Sequence, residues 1–245
     1  MTVIYYFYER GIDNRFNGRI LEVVTIKPVL TIQDLIKSAE HFCNIESGKN
    51  HRELLGVTDG KAIGTYIEHA FQAFLSSHYE VEIGNSARGI DLPGKDIQTD
   101  IKVTSISQPQ SSSPFENAHQ KIYGLGYNLL IFIYEKVDAA DFCELHFIHC
   151  IFIDKKRTAD FTTTKRLREM VSDGANKEDV IGFLRDKNIP GDDLIYSNLA
   201  DEILTSPPEQ GYLTISNALQ WRLQYGRVIT LDNSVGGIIN CDWKA

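Results

Sequence analysis

The sequence predicts an α/β fold in which a central mixed β-sheet is flanked by helices, and three stretches predict it. Ile63, Ile67, Ala70, Phe71 and Phe74 recur at the helical period and make one apolar stripe. From Ile97 to Thr104 apolar and polar residues alternate, as in a strand with two unlike faces. Asn128 to Tyr134 is almost continuously apolar, the composition of a strand inside a covered sheet.

In chain order, Val3 to Tyr8 and Ile20 to Ile26 read as two strands around a turn at Gly11 to Gly18, an N-terminal hairpin closed by Lys27-Pro28. Thr31 reads as an N-cap with Asp34 at N3, and Ile32, Leu35, Ile36, Ala39, Phe42 and Cys43 follow at helical spacing. A short helix is expected at His51 to Leu55. The helix carrying Ile63 comes next, with Glu68 beside its apolar stripe. Val81 and Ile83 alternate with Glu80 and Glu82 as a strand, a Gly/Asn/Ser/Arg/Gly turn leads to Ile90-Asp91, and Leu92 to Asp96 turns again, which puts Asp91 at a strand end. Ile97, Thr99, Ile101 and Val103 then face one way and Gln98, Asp100, Lys102 and Thr104 the other, with Asp100 and Lys102 about 6.6 Å apart on a shared face.

Thr104 to Pro114, rich in Ser, Gln and Pro, reads as a flexible loop directly beyond this strand, and its Ser105, Gln108, Ser111 and Ser112 are candidates for phosphate or base-edge contacts. Phe115 to Tyr123 reads as a helix ended by Gly124 and Gly126, and an apolar run from Phe142 to Asp154 follows the Asn128 strand. Helices are expected at Thr162 to Val171, Lys177 to Lys187 and Asp192 to Leu204, the first pair with a helix-turn-helix look. Beyond Pro207-Pro208, a helix is expected at Ser216 to Tyr225 with Gly226 as its cap, then closing strands at Val228 to Leu231 and Gly237 to Cys241. These elements suggest one domain over residues 1–245, with a core at about 61–135 and a helical and β elaboration at about 155–245.

The 245 residues are 42% hydrophobic, ample for a core, and no segment reaches the roughly 18 consecutive apolar residues of a membrane span. The apolar start MTVIYYFYERG has no leading positive charge and no small-residue cleavage site, so it reads as a strand rather than a secretory signal, and a cytoplasmic location is expected. The four cysteines lack C-x-x-C spacing, which fits reduced, buried thiols. A net charge of −8 does not exclude nucleic acid, because the local patch decides. The densest basic stretch is Lys155, Lys156, Arg157, Lys165, Arg166 and Arg168, diluted by Asp154, Asp160 and Glu169. Cys143, His146, His149 and Cys150 invite zinc, but strand alternation pairs Cys143 with His149 and His146 with Cys150 on opposite faces.

Asp-x-Lys occurs four times, at Asp59-Gly60-Lys61, Asp100-Ile101-Lys102, Asp154-Lys155-Lys156 and Asp242-Trp243-Lys244, so the tripeptide alone is weak evidence. Only the second lies on an alternating strand with an acid strand before it. The third ends an apolar run and has Glu144 upstream, but its middle residue is a lysine rather than a core side chain. Asp91 and Asp100 on neighbouring strands would repel without a cation. Their hard oxygens suit Mg²⁺, which would polarise a phosphoryl oxygen and acidify a water, while Lys102 offsets charge developing at the phosphate.

An acid on a helix, an Asp, and an Asp-x-Lys on a strand, here Glu68, Asp91 and Asp100-Ile101-Lys102, resemble the core pattern of the PD-(D/E)xK nucleases, over about residues 61–135. Type II restriction endonucleases are the branch most similar, although Gly89-Ile90 stands before Asp91 where that pattern often has proline. The resemblance implies a restriction-endonuclease-like core and Mg²⁺ held by Asp91, Asp100, Glu68 and Ile101, the isoleucine through its main chain. It implies Lys102 and Glu68 among the catalytic groups, cleavage of double-stranded DNA at a short sequence, a homodimer on a palindromic site, and functional pairing with a cognate DNA methyltransferase. A structure-specific or repair nuclease of the same fold, or an inert nucleic-acid-binding module, are the alternative functions.

Overall fold

The computed structural model describes residues 26–84, 89–113, 117–216 and 221–241. The expected N-terminal hairpin, the turn before Gly89, the start of the helix expected at Phe115 and the Asp242 copy of Asp-x-Lys lie outside the described residues.

A mixed sheet forms the centre. Its strands run β1 (Asn50–His51), β5 (Cys143–Ile153), β4 (Asn128–Asp138), β2 (Thr99–Ser105) in space, with β8 (Ile238–Asn240) sharing the β1 side of β5. Only the β2/β4 pair is parallel. One face is covered by α1 (Ile32–Ser47) and α2 (Gly60–His78). Thr31 caps α1 by accepting the Asp34 N–H at 3.1 Å, as its sequence predicts. Phe42, Phe71, Phe132 and Phe147 meet edge to face with ring centroids 5.0–6.1 Å apart, each such pair adding about 0.5–1.5 kcal/mol beyond its area.

The opposite face is covered by a small antiparallel sheet, β3 (Gln110–Ser113), β7 (Trp221–Gln224) and β6 (Thr214–Ser216), together with α7 (Gly226–Ile229). Ile215, Leu223, Tyr225 and Val228 pack there against Leu129, Ile131, Ile133, Ile151 and Ile153. Beside these layers, α3 (His119–Tyr123), α4 (Phe161–Ser172), α5 (Lys177–Asp186) and α6 (Asp193–Thr205) share a third apolar cluster built on Ile122, Leu167, Val180, Leu184 and Ile203. The expected α4–α6 series is therefore present and packed. Among the described residues, no helix is long and apolar enough to cross a membrane.

Several expectations are corrected. The described part of the loop expected at Thr104 to Pro114 is largely strand: β2 runs to Ser105, and after a turn Gln110–Ser113 is a strand. Within the helix expected at Ser216 to Tyr225, the described residues are instead the end of β6 at Ser216 and β7 at Trp221–Gln224, because Leu223 and Tyr225 alternate with Arg222 and Gln224 and the sheet supplies the burial that this two-residue period requires. Gly226 opens α7 rather than capping a helix, so Val228 lies in a helix and not in a strand. His51 begins no helix but pairs as β1, and Glu80 to Gly84 makes only a single bridge, Val29 with Glu80.

The alternation used for Cys143 to Cys150 also fails. A bulge opposite Ile133/Tyr134 leaves Ile148 as an extra residue and reverses the facing of the residues beyond it. Cys143, Leu145, Phe147, Cys150 and Phe152 consequently all enter the α1/α2 core. The cysteines share one face and the histidines the other, which still keeps the two kinds of ligand apart.

Candidate active site

A tight hairpin brings Asp91 to the edge of β2. Leu92 and Thr99 exchange two main-chain hydrogen bonds, each 3.0 Å, and Gly94 accepts from Ile97 at 2.8 Å and Gln98 at 2.9 Å. Gln98 takes a left-handed φ of 37°, beyond which the chain enters β2. One strand pair further on, the Ile101 N–H donates to Asp91 Oδ2 at 2.7 Å. Because the N–H and C=O of a strand residue leave on the same side, the Ile101 carbonyl emerges on this edge too, beside Asp91.

Glu68 arrives from α2. A Cβ added at Gly64, one turn earlier, would lie 3.8 Å from Val103 Cβ, so the helix rests directly on β2. Ile67 and Phe71 are buried, and between them Glu68 is half-buried with Gln72 Nε2 at 3.5 Å from its Oε1. Glu68, Asp91 and Asp100 are close enough for their carboxyls to interact. Lys102 Nζ lies 2.6 Å from Asp100 Oδ2. Although β2 is the edge strand among the described residues, this is not a solvated ion pair: the lysine side chain is 18% exposed and the aspartate 6%. Removing one partner of such a buried pair costs about 3–5 kcal/mol.

The electrostatics are those of a site short of positive charge. Burial, then the neighbouring Asp91 charge and hydrogen bond, push Glu68 up to about 7. Burial pushes Asp100 up to about 7 as well; Lys102 pulls the other way, but the hydrogen bond and charge of Asp91 add to the rise. For Lys102, burial disfavours the ammonium, yet Asp100 outweighs it and the net direction is up. Among the described residues, no three His, Cys, Asp or Glu side chains already stand at the spacing of a closed metal cage. Crowded hard carboxylates with a main-chain carbonyl on the same edge nevertheless have the chemistry that a hard divalent cation requires.

Two tyrosines that sequence reasoning missed stand nearby. Tyr225 is fully buried, its hydroxyl hydrogen-bonds Ser111, and burial foremost, then the Asp100 charge, drives its phenol up. Tyr127 is close enough to influence Lys102 and lies 3.4 Å from Ser113 through its hydroxyl. Neither had a local signal, because each reaches the site from a different strand or turn. Of the expected DNA-contacting residues, Ser105 Oγ is 2.9 Å from Ser107 Oγ, Gln108 is exposed, Ser111 turns inward to Tyr225, and Ser112 is exposed.

The other described copies of Asp-x-Lys have plain structural roles. Asp59 is the N-cap of α2, accepting the Lys61 N–H at 3.0 Å. Asp154 caps the 3₁₀ turn Lys155–Arg157, accepting the Lys156 N–H at 2.9 Å. Glu144 pairs with His146 at 3.0 Å at the opposite end of β5, roughly 30 Å from Asp154 at the rise of a strand. The basic stretch is largely engaged: Lys156 and Arg157 face Glu209 at 3.3 and 3.5 Å, Lys165 and Arg166 face Glu169 at 4.0 and 3.5 Å, and Arg168 donates to the Pro208 carbonyl at 2.9 Å. Asp160 caps α4 through the Thr163 N–H at 2.8 Å and holds β6 through the Ile215 N–H at 2.9 Å.

No solved structure matches the chain. A type II restriction enzyme NspV from Nostoc sp. (strain ATCC 29411 / PCC 7524) is 52% identical over 213 residues, covering 86% of this chain and 96% of that protein. The family model described as type II restriction enzyme NspV matches residues 29–240, a span that contains Glu68, Asp91, Asp100 and Lys102. The chain belongs to the NspV family of type II restriction enzymes.

Proposed function

We propose that the chain is a Mg²⁺-dependent type II restriction endonuclease with a restriction-endonuclease-like core, hydrolysing a phosphodiester bond at a specific short sequence in double-stranded DNA. The observation that carries this reading is the meeting of Glu68, Asp91 and Asp100 with Lys102 at the open edge of β2. Asp91, Asp100, Glu68 and the Ile101 carbonyl would hold the ion. Bound there, Mg²⁺ would supply polarisation of the phosphoryl oxygen and a lowered pKa for water.

The chain's own groups do the rest. The Ile101 N–H fixes the direction of Asp91. Lys102, held charged by Asp100, presents a compact cation to the phosphate and offsets the charge that grows as water adds to phosphorus and the ester P–O bond breaks. Glu68, on a helix beside the strand pair, would reach the ion through water. Ser105 at the end of the catalytic strand and Gln108 and Ser112 beyond it would contact the duplex, and Ser111 would support them through Tyr225. We further propose a cytoplasmic single-domain enzyme that acts as a homodimer on a palindrome and is paired with a DNA methyltransferase protecting the same sequence.

Digestion of a long, fully sequenced DNA with Mg²⁺ tests the reading. Discrete fragments with common ends are expected. Cleavage directed by junctions or ends would assign a structure-specific nuclease instead, and absence of metal-dependent cleavage would leave an inert binding module.

A further inference from the structure

The sheet formed by β3, β7 and β6 has two unlike faces. Leu223 and Ile215 lie across from Ser111 and point into the core. In the alternate register Gln110 stands opposite Gln224 and Thr214, and Ser112 opposite Arg222 and Ser216, so these six side chains share the outer face. Ser112, Arg222, Gln224 and Thr214 are exposed, and Gln110 and Ser216 are partly so. In a chain with 33 acidic against 25 basic residues, this face carries no acid. It offers amides, hydroxyls and one guanidinium, with nothing that would repel phosphate.

The position of this face matters as much as its chemistry. Thr104 follows Lys102 by two residues on the same side of β2, about 6.6 Å along the strand. Its hydroxyl shares its one proton between the Gln108 and Gln110 carbonyls at 2.9 and 3.0 Å and accepts the Gln110 N–H at 3.2 Å, so the start of β3 is fastened to the catalytic strand. From the other side, Tyr225 ties Ser111 to the surroundings of Asp100. The sheet therefore begins one side-chain hydrogen bond away from a residue that lies about 6.6 Å beyond the catalytic lysine, the length of about two base-pair steps at about 3.4 Å per step.

We propose that the outer face of the β3–β7–β6 sheet reads base edges in the major groove of the DNA being cut, with Arg222 directed to a guanine and Gln110 and Gln224 to adenines. The inference rests on the reading of the chain as a sequence-specific DNA endonuclease. A guanidinium matches the O6/N7 pair of guanine and a glutamine amide the N6/N7 pair of adenine, each in a bidentate contact. The paired strands β3 and β7, about 4.8 Å apart, make a two-stranded ribbon of the kind that the groove, about 12 Å wide, admits. Ser112, Thr214 and Ser216 complete the face with hydroxyls that serve either donor or acceptor edges.

The test begins with the intact enzyme and a fully sequenced linear DNA, which define the cut sequence. Short duplexes carrying that sequence and each of its single-base-pair variants are then assayed with wild type, Arg222→Ala, Arg222→Lys, Gln224→Ala and Gln110→Ala. Each alanine variant should lose about 5- to 150-fold in kcat/KM on the cut sequence and, at one base-pair position, cease to discriminate. Arg222→Lys should restore discrimination only in part, since an ammonium has donors but lacks the rigid planar fork that fixes two parallel contacts. Thermal melting should be unchanged in the Arg222 and Gln224 variants, as expected for exposed side chains. An unchanged ranking of all single-base-pair variants overturns the proposal while leaving the nuclease reading intact. Uniform weakening across sequences, with the salt slope reduced by about one, assigns a phosphate contact and also overturns it. A wild type that cuts no DNA overturns both.

Discussion

At Asp100-Ile101-Lys102 the middle residue is 3% exposed and anchors the strand in the core, so the flanking acid and base must emerge together on the other face. At Asp154-Lys155-Lys156 the middle residue is a lysine, the chain has just left β5, and the acid closes a 3₁₀ turn by capping Lys156 N–H. The same tripeptide spacing thus yields a buried ion pair crowded by two further carboxyls in one place and a turn at the surface in the other. The difference teaches that Asp-x-Lys acquires chemistry from its middle residue and from what stands across the sheet edge.

The largest expected effect breaks the comparison outright. Asp100→Asn should bring Mg²⁺-dependent cleavage below detection and leave DNA affinity in Ca²⁺ unchanged or higher, since a charged ligand is lost with little change of shape. Asp154→Asn, which preserves an N-cap, should cut within twofold of wild type. Near-normal turnover of Asp100→Asn would move the site to the Asp154 region. Next, Lys102→Ala should slow single-turnover cleavage by at least about 10²-fold, and Lys156→Ala by less than twofold.

Glu68→Gln should act less severely than Asp100→Asn and raise the Mg²⁺ concentration needed for half-maximal rate. Equal inactivation of both at saturating Mg²⁺ would make Glu68 a direct ligand. The smallest effect is on stability in EDTA. Glu68 and Asp100 are carboxyls raised to about 7 in the fold, so the folded state holds their protons more tightly than the unfolded chain does. Their contribution is complete below about pH 4 and is lost as pH rises through about 7. The melting temperature of the metal-free protein should therefore fall between pH 5 and pH 8. Glu68→Gln should melt higher than wild type at pH 8 but not at pH 5, and the reverse order at pH 8 would refute the electrostatic reading.

Much was legible where the periodicity was long. The stripe of α2, the alternation of β2 and the apolar run of β4 gave the mixed α/β sheet, and Thr31 marked the start of α1 by its capping chemistry, whereas the cap that Asp59 makes for α2 emerged only in the structure. The short elements were not legible. Gln110–Ser113 has no apolar pattern, and its strand conformation comes from pairing with residues more than a hundred positions away. The bulge that turns Cys150 toward the same core as Cys143 depends on the register between β4 and β5, which neither strand specifies alone.

The sequence by itself determined that Asp100 and Lys102 share a face and that Glu68 lies beside an apolar stripe, because these follow from the 2.0 and 3.6 residue periods of a single element. Only the tertiary structure decided that Asp91, fixed by the Ile101 N–H, stands against both, that Tyr127 and Tyr225 close in around them, and that the outer face of a second sheet is fastened to the catalytic strand through Thr104. Those are distances between elements, set by which apolar faces bury one another, and no local period encodes them.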